Sequence, residues 1–266
     1  MSATPTEYDV LIVGGGPAGC AAALHGRRLG LRTRLVDRAG AGSPRGCPAW
    51  VGPAAAKWLD DAGVKLTKVG QKFAGLRLWA WDFGKHAAVP GADCGGWIVD
   101  PPALRAALLA AVRAAKIEIQ RPATVTRLTV GERNTRIELS DGQVQAARVV
   151  IVAAGAGSEL VAQLSLAGGS PQPVQAAGAQ ATFESASSAA TGLEVVLGAA
   201  REFKLATVAR ARGRVCVTLL TYEAGTPAGE QLGALLTAGQ KAGAIPAGAK
   251  PSIRAEIGRA SCRERV

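Results

Sequence analysis

The chain has 266 residues, 48% apolar and 19% charged, with 34 glycines and 14 prolines; this suits a large α/β unit or two units sharing a core and excludes a stapled mini-scaffold, a fibre or a disordered chain. A formal charge of +11 invites anionic partners such as a phosphorylated cofactor, yet the arginines are scattered as solvated faces and the aromatics, only 4%, do not interleave with them, which argues against nucleic acid. Five cysteines without a C-x-x-C pair point to a reducing cytoplasm rather than a disulfide framework or a zinc site, and no apolar run of about 18 residues is clean enough to span a bilayer.

In chain order, Tyr8 to Val13 reads as a short apolar strand that runs into Gly14-Gly15-Gly16-Pro17-Ala18-Gly19. Cys20 to Leu29 is helical in composition and stops at Gly30, and Arg32 to Val36 is a second strand closed by Asp37. After an irregular stretch from Arg38 to Pro53, Ala54 to Ala62 is a short helix and Leu76 to Trp81 alternates as a half-buried strand. Asp100 is placed to cap a helix over Ala103 to Ala115. Val125 to Val130 and Thr135 to Leu139 alternate, and Asp141-Gly142 is a hairpin turn into Gln143 to Val152, whose apolar end reads as a central parallel strand. Beyond Gly168 to Pro173, strands are predicted over Val174 to Phe183, Leu193 to Leu197, Phe203 to Ala209 and Val215 to Thr221, with a helix from Ala228 to Ala242.

Gly14, Gly16 and Gly19 form G-x-G-x-x-G between a predicted strand and helix, and Asp37 ends the next strand. The backbone must turn sharply at Gly14, approach a pyrophosphate at Gly16 and let helix pack on strand at Gly19. Helix amides after Pro17 face the phosphates, while Asp37 accepts from a ribose diol and disfavours a 2′-phosphate. Together these point to a bound adenine dinucleotide.

The run Tyr8 to Gly19, with Asp37-Arg38 after it, resembles the amino terminus of FAD-dependent oxidoreductases of the p-hydroxybenzoate-hydroxylase and geranylgeranyl-reductase type. Gly96 to Asp100 and Val149 to Ser158 add to the likeness, which spans about Tyr8 to Leu166. It implies FAD, held by Gly14, Gly15, Gly16, Pro17, Ala18, Gly19, Asp37 and Arg38, with Arg45 near the phosphates or ribityl chain, a main-chain contact to adenine at Val125, and Gly155 in a second flavin segment. It also implies an oxidoreductase acting on an apolar or aromatic small molecule, either by hydride delivery to a double bond or by oxygen activation, with NAD(P)H as a candidate electron donor.

Three departures bear on this. Ala154 stands where the group carries an aspartate, which leans away from the hydroxylase route; Pro101 lies near the place of a helix-start arginine; and no third flavin motif follows Ser158. Glu256 to Val266 resembles a translated sequencing adapter, so the chain is expected to be an amino-terminal fragment, inactive alone, with an artefactual tail over 256–266.

The expected fold is α/β, a Rossmann-like FAD-binding domain with an inserted, β-rich substrate domain, truncated at the carboxyl end. Residues 1–71 and 97–170 are assigned to the first, 72–96 and 171–255 to the second. All five tryptophans fall between Trp50 and Trp97; Trp79 and Trp81 share a face, suiting sheet packing more than a substrate wall, and Cys47 suits packing more than redox chemistry. His25 and His86 have no partners for a metal or a triad, so no metal is expected and no catalytic residue is assigned. The oligomeric state is open. A non-catalytic dinucleotide-binding module and an NAD-dependent dehydrogenase are the alternatives.

Overall fold

A computed structural model of the chain describes residues 8–38, 50–90, 94–155, 158, 160, 174–184, 192–198, 204–211, 213–221, 227–246 and 253–262, of which 174–177, 204 and 253–262 are described as main chain only. Contacts divide it into two units, the first made of Met1–Ser43, Ala62–Val64 and Leu104–Gly169, the second of Pro44–Asp61, Lys65–Ala103 and Ser170–Val266. The chain therefore interleaves two bodies, with the stretch Lys65–Ala103 contributing to the second.

The first unit is built on a βαβ start. Strand β1 (Tyr8–Val13) leads into helix α1 (Pro17–Arg28), and β2 (Thr33–Val36) returns parallel to β1, with Val10 opposite Thr33 and Val13 opposite Val36. Gly30, at φ +74°, supplies the left-handed residue that ends the helix, and Leu31 N donates to the Gly26 carbonyl. The close fit of helix to strand needs Gly26, where a Cβ would stand 2.8 Å from Thr33 Oγ1.

The remaining strands are β8 (Glu118–Gln120), β9 (Val125–Val130), β10 (Thr135–Leu139) and β11 (Val144–Val152), in the sheet order β8-β2-β1-β11-β10-β9. The first four neighbours run parallel, while β10 and β9 are antiparallel additions. Gly142 takes φ +83° in the predicted hairpin turn, and Gln143 N donates to Asp141 Oδ1. The chain leaves β1 on one side for β2 and is met on the other by β11, so the strand order reverses at the carboxyl end of β1. Ligands of open α/β sheets bind at such a point.

The apolar end of β11 pairs centrally as predicted, but Val149 and Ile151 stay 52% and 37% exposed, because pairing at a sheet centre satisfies the main chain without covering the faces. A second difference concerns charge. Arg34, expected on a solvated face, is half-buried, with Nη2 2.9 Å from Glu118 Oε1 and Nη1 donating to the Tyr8 hydroxyl.

The second unit holds two sheets. The larger has the order β16-β12-β15-β14-β13-β5-β6, using β5 (Leu76–Ala80), β6 (His86–Val89), β12 (Val174–Glu184), β13 (Gly192–Leu197), β14 (Lys204–Ala211), β15 (Arg214–Thr221) and β16 (Ile253–Cys262). Strand β5 pairs parallel with β13, which joins the early stretch to the late one in one sheet. One face packs Ala179, Ala181, Phe183, Val208, Val217 and Leu219 with Leu232 and Leu235 of helix α5 (Ala228–Lys241). The smaller sheet joins β3 (Trp50–Val51), β7 (Gly96–Val99) and β4 (Gly70–Phe73), and Phe73 and Ile98 pack against Leu193 and Ala209 of the larger one.

Helices α2 (Pro53–Asp61), α3 (Leu66–Val69) and α4 (Pro101–Ala114) complete the described elements, α4 opening with Ala103 N donating to Asp100 Oδ2 as the sequence predicts. The segment 256–262 forms part of the edge strand β16; its main-chain pairing is independent of side chains and so of where the segment comes from. Residues 263–266 lie outside the described residues.

Candidate functional site

The carboxyl end of β1 carries the glycine turn. Gly14 sits at φ +113°, and a Cβ there would lie 2.4 Å from the Ala153 carbonyl oxygen, so only glycine fits where the second predicted flavin segment passes. At Gly19 a Cβ would lie 1.8 Å from the Gly14 carbonyl oxygen, and at Gly15 it would press on the Asp37 carboxyl at 2.7 Å. Gly16 differs from all three. Its φ of −79° suits any residue, and a Cβ there would meet nothing within 4 Å. Three glycines therefore serve packing of the turn, while the fourth leaves space beside it.

That space adjoins the first turn of α1. Pro17 at the helix start has no amide hydrogen, and the amides of Ala18 and Gly19 fall where helix geometry provides no acceptor. Gly16 caps the helix without a side chain. An anion is therefore the natural partner for this end, by both its free donors and the helix dipole.

Asp37 follows β2 and is buried at 5% exposure. Its main chain is fixed on both sides, the amide donating to the Gln120 carbonyl and the carbonyl accepting from Ala123 N. Its Oδ1 accepts from Gly15 N at 3.0 Å. Arg105 of α4 donates from Nη2 to Oδ2 at 2.9 Å and to Oδ1 at 3.3 Å, and from Nε to the Gly15 carbonyl at 3.1 Å. Arg121 Nε lies 3.0 Å from Oδ2 but outside hydrogen-bonding geometry, so its contact is coulombic. The carboxylate thus meets two positive charges, which leaves the cluster net cationic beside a site suited to phosphate.

Cys20, fully buried on α1, has its thiol pKa pushed up to about 11, first by burial and then by the Asp37 charge, with Arg105 opposing. It remains a thiol at neutral pH and stands 3.7 Å from the Gly15 carbonyl oxygen as a weak donor.

The structure brings Gly14, Gly15, Gly16, Pro17, Ala18, Gly19 and Asp37 together at one end of β1. Gly155 sits two residues after Ala153, at φ +83° with open space around it. Val125 opens β9 three residues after Pro122, in the segment that hydrogen-bonds Asp37 through Ala123. Arg38 is exposed and makes no ion pair among the described residues. Arg45 and Cys47 lie outside the described residues.

Arg105 and Arg121 were not singled out by sequence. For Arg105 a signal existed: it lies one helical turn beyond Pro101, on the same face of α4. The tryptophans divide otherwise than a pocket would require. Trp79 is buried and donates its indole N–H to Glu194 Oε2 at 2.6 Å, and Trp81 packs on the same core, as the sheet-packing alternative has it.

No helix among the described residues is long and apolar enough to cross a membrane. Over 160 residues the chain is 32% identical to the digeranylgeranylglycerophospholipid reductase of Methanococcus aeolicus, a match that takes in 58% of this chain and 39% of that protein. Its fold is similar to that of a geranylgeranyl bacteriochlorophyll reductase-like protein from Thermoplasma acidophilum, with a TM-score of 0.76 at 17% identity over 96% of this chain and 66% of the other. The p-nitrophenol 4-monooxygenase of Pseudomonas putida is similar too, with a TM-score of 0.73 at 17% identity over 96% of this chain and 68% of the other. The chain thus spans about two thirds of these structures and a smaller share of the reductase. Residues 9–171, more than half of the chain, match the model for FAD dependent oxidoreductases, and the chain belongs to that family.

Proposed function

We propose that the turn Gly14–Gly19 and Asp37 hold the ADP half of FAD, and that the protein reduces a carbon–carbon double bond in an apolar small molecule. The observation that carries the cofactor reading is the contrast among the glycines: Gly14, Gly15 and Gly19 have no room for a Cβ, whereas Gly16 has nothing within 4 Å. A turn built only for packing has no use for that clear side, next to first-turn amides for which helix geometry provides no acceptor. The residues present therefore fit the group. Gly16, Ala18 and Gly19 would donate to the pyrophosphate, Asp37 would accept from the ribose diol, and the main chain at Val125 would meet adenine.

Bound FAD supplies two-electron chemistry to whatever lies against its ring. The preference for reduction over oxygenation has two supports. Sequence likeness extends to a named reductase, and Ala154 stands where the resembling group carries an aspartate that in its hydroxylases serves the nicotinamide donor. NAD(P)H is the electron donor to test first.

The test is direct. The purified chain should carry a yellow cofactor that, once released by denaturation, fluoresces as flavin rather than nicotinamide. Gly16→Val should fold normally and lose it, because its side chain enters the open space without touching protein. Flavin content equal to wild type in that variant overturns the assignment of the turn. Anaerobic bleaching by NADPH or NADH then tests the donor, and a bound flavin that no donor reduces would favour a non-catalytic module.

A further inference from the structure

We propose that Arg105 is a positioning residue of the dinucleotide site, directing the Gly16 amide by holding the other end of the same peptide group. The inference rests on the reading that this turn holds FAD, and it assigns the pin that three consecutive glycines need.

A peptide group is rigid and planar, with its carbonyl and its N–H on opposite sides. Gly14-Gly15-Gly16 is the most permissive backbone the chain contains, so nothing in its own side chains fixes which way the Gly15–Gly16 peptide faces. Arg105 fixes it. Its Nε donates to the Gly15 carbonyl at 3.1 Å, and the Cys20 thiol approaches the same oxygen at 3.7 Å. The Gly15 amide is held separately, by Asp37 Oδ1 at 3.0 Å, and Arg105 Nη2 binds that carboxylate as well. One guanidinium therefore closes a ring around Gly15 through both its carbonyl and the partner of its amide.

With the Gly15 carbonyl turned toward Arg105, the Gly16 N–H points away from it. That amide has no acceptor among the described residues, and Gly16 borders open space. Reversal of the peptide would replace a donor by a carbonyl oxygen and repel a phosphate. The task needs a fork that serves two acceptors at once, which arginine has and lysine lacks. Arg121 shares the carboxylate but not the Gly15 carbonyl, so it balances charge without setting the peptide.

The experiment uses the full 266-residue chain. In the cofactor-free protein, Arg105→Gln should shift and broaden the Gly16 amide resonance. It should also raise the FAD dissociation constant about tenfold or more, with far-UV circular dichroism retained. Arg105→Lys keeps the charge without the fork and should show the same two changes; it serves if the glutamine variant does not fold. The loss of affinity should persist in an Asp37→Asn background, because it runs through the carbonyl. An unchanged Gly16 amide, full FAD affinity in the lysine variant, or no effect once Asp37 is asparagine each overturns the proposal. A wild-type chain that takes up no FAD would instead overturn the function proposed above, while the amide resonance still decides the role of Arg105.

Discussion

Asp37 in the first unit and Glu194 in the second are both buried carboxylates, 5% and 7% exposed, and each faces two arginines. Glu194 has Arg210 Nη1 at 2.5 Å and Arg77 Nη1 at 3.5 Å. Around it everything closes: Trp79 donates to the second oxygen, Arg210 also donates to the Ala244 carbonyl, and Trp79 packs on Phe83 and His86. Around Asp37 the partners are instead a glycine amide and a guanidinium that also binds a turn carbonyl, and the turn has an open side. The same charge pattern locks a sheet core in one unit and shapes a cradle in the other. What separates them is the space and the main-chain donors beside the carboxylate, not the ion pairs.

The largest test of that contrast is Glu194→Ala. It leaves the largely covered Arg210 guanidinium without its anion, with Arg77 at the surface beside it, and breaking a buried pair costs about 3–5 kcal/mol. Urea unfolding should show a loss of that size in the second unit. Flavin uptake by protein that remains folded should match wild type; a selective loss of flavin would place Glu194 in the site and end the contrast.

Gly19→Ala comes next. Its Cβ would fall 1.8 Å from the Gly14 carbonyl oxygen, a main-chain atom, so α1 must move off β1. Overpacking of this kind costs about 1–3 kcal/mol. Stability and flavin content should fall together, in contrast to Gly16→Val, where flavin alone is lost. Normal thermal stability in Gly19→Ala would show that the turn is looser than its contacts imply.

Trp79→Phe is a smaller perturbation of the closed cluster. It removes the indole donor and leaves one oxygen of Glu194 short of a partner, at about 1–3 kcal/mol. The Tm should drop without any change in flavin content. An unchanged Tm would mean that Arg210 alone satisfies the carboxylate.

The glycine turn could be read from sequence because its determinants are local: strand, glycines, helix and acid follow one another within residues 8–37, and each has a fixed backbone requirement. The hairpin at Asp141-Gly142 and the cap at Asp100 were legible for the same reason. Arg105, Arg121, Arg34 and Arg210 were not, since their partners are distant in sequence: Arg105 meets Asp37 across 68 residues and Arg34 meets Glu118 from another strand. Composition gave them to solvated faces. The fold made Arg105, Arg121 and Arg210 partners of the buried carboxylates Asp37 and Glu194, and set Arg34 against Glu118 and the Tyr8 hydroxyl, a decision taken by sheet order and not by local pattern. The tryptophan pair was legible as well: sheet packing was the favoured reading for Trp79 and Trp81, and alternation along β5 sends Trp79 into the core with Trp81 packed against it.

The smallest expected effect is a pH dependence that belongs to the cradle alone. Burial, and then the Asp37 charge, raise the Cys20 thiol pKa from 9.0 to about 11, while Arg105 pulls it down. The folded state thus holds this proton more tightly than the unfolded chain does. The thiol's contribution to stability is complete below pH 9 and is lost as pH rises through about 11. Urea midpoints should therefore fall over that interval in wild type and fall less in Cys20→Ala. Arg105→Gln, which removes the one opposing charge, should move the fall to higher pH. Equal slopes in wild type and Cys20→Ala would mean that neither burial nor the Asp37 charge holds the proton on this thiol.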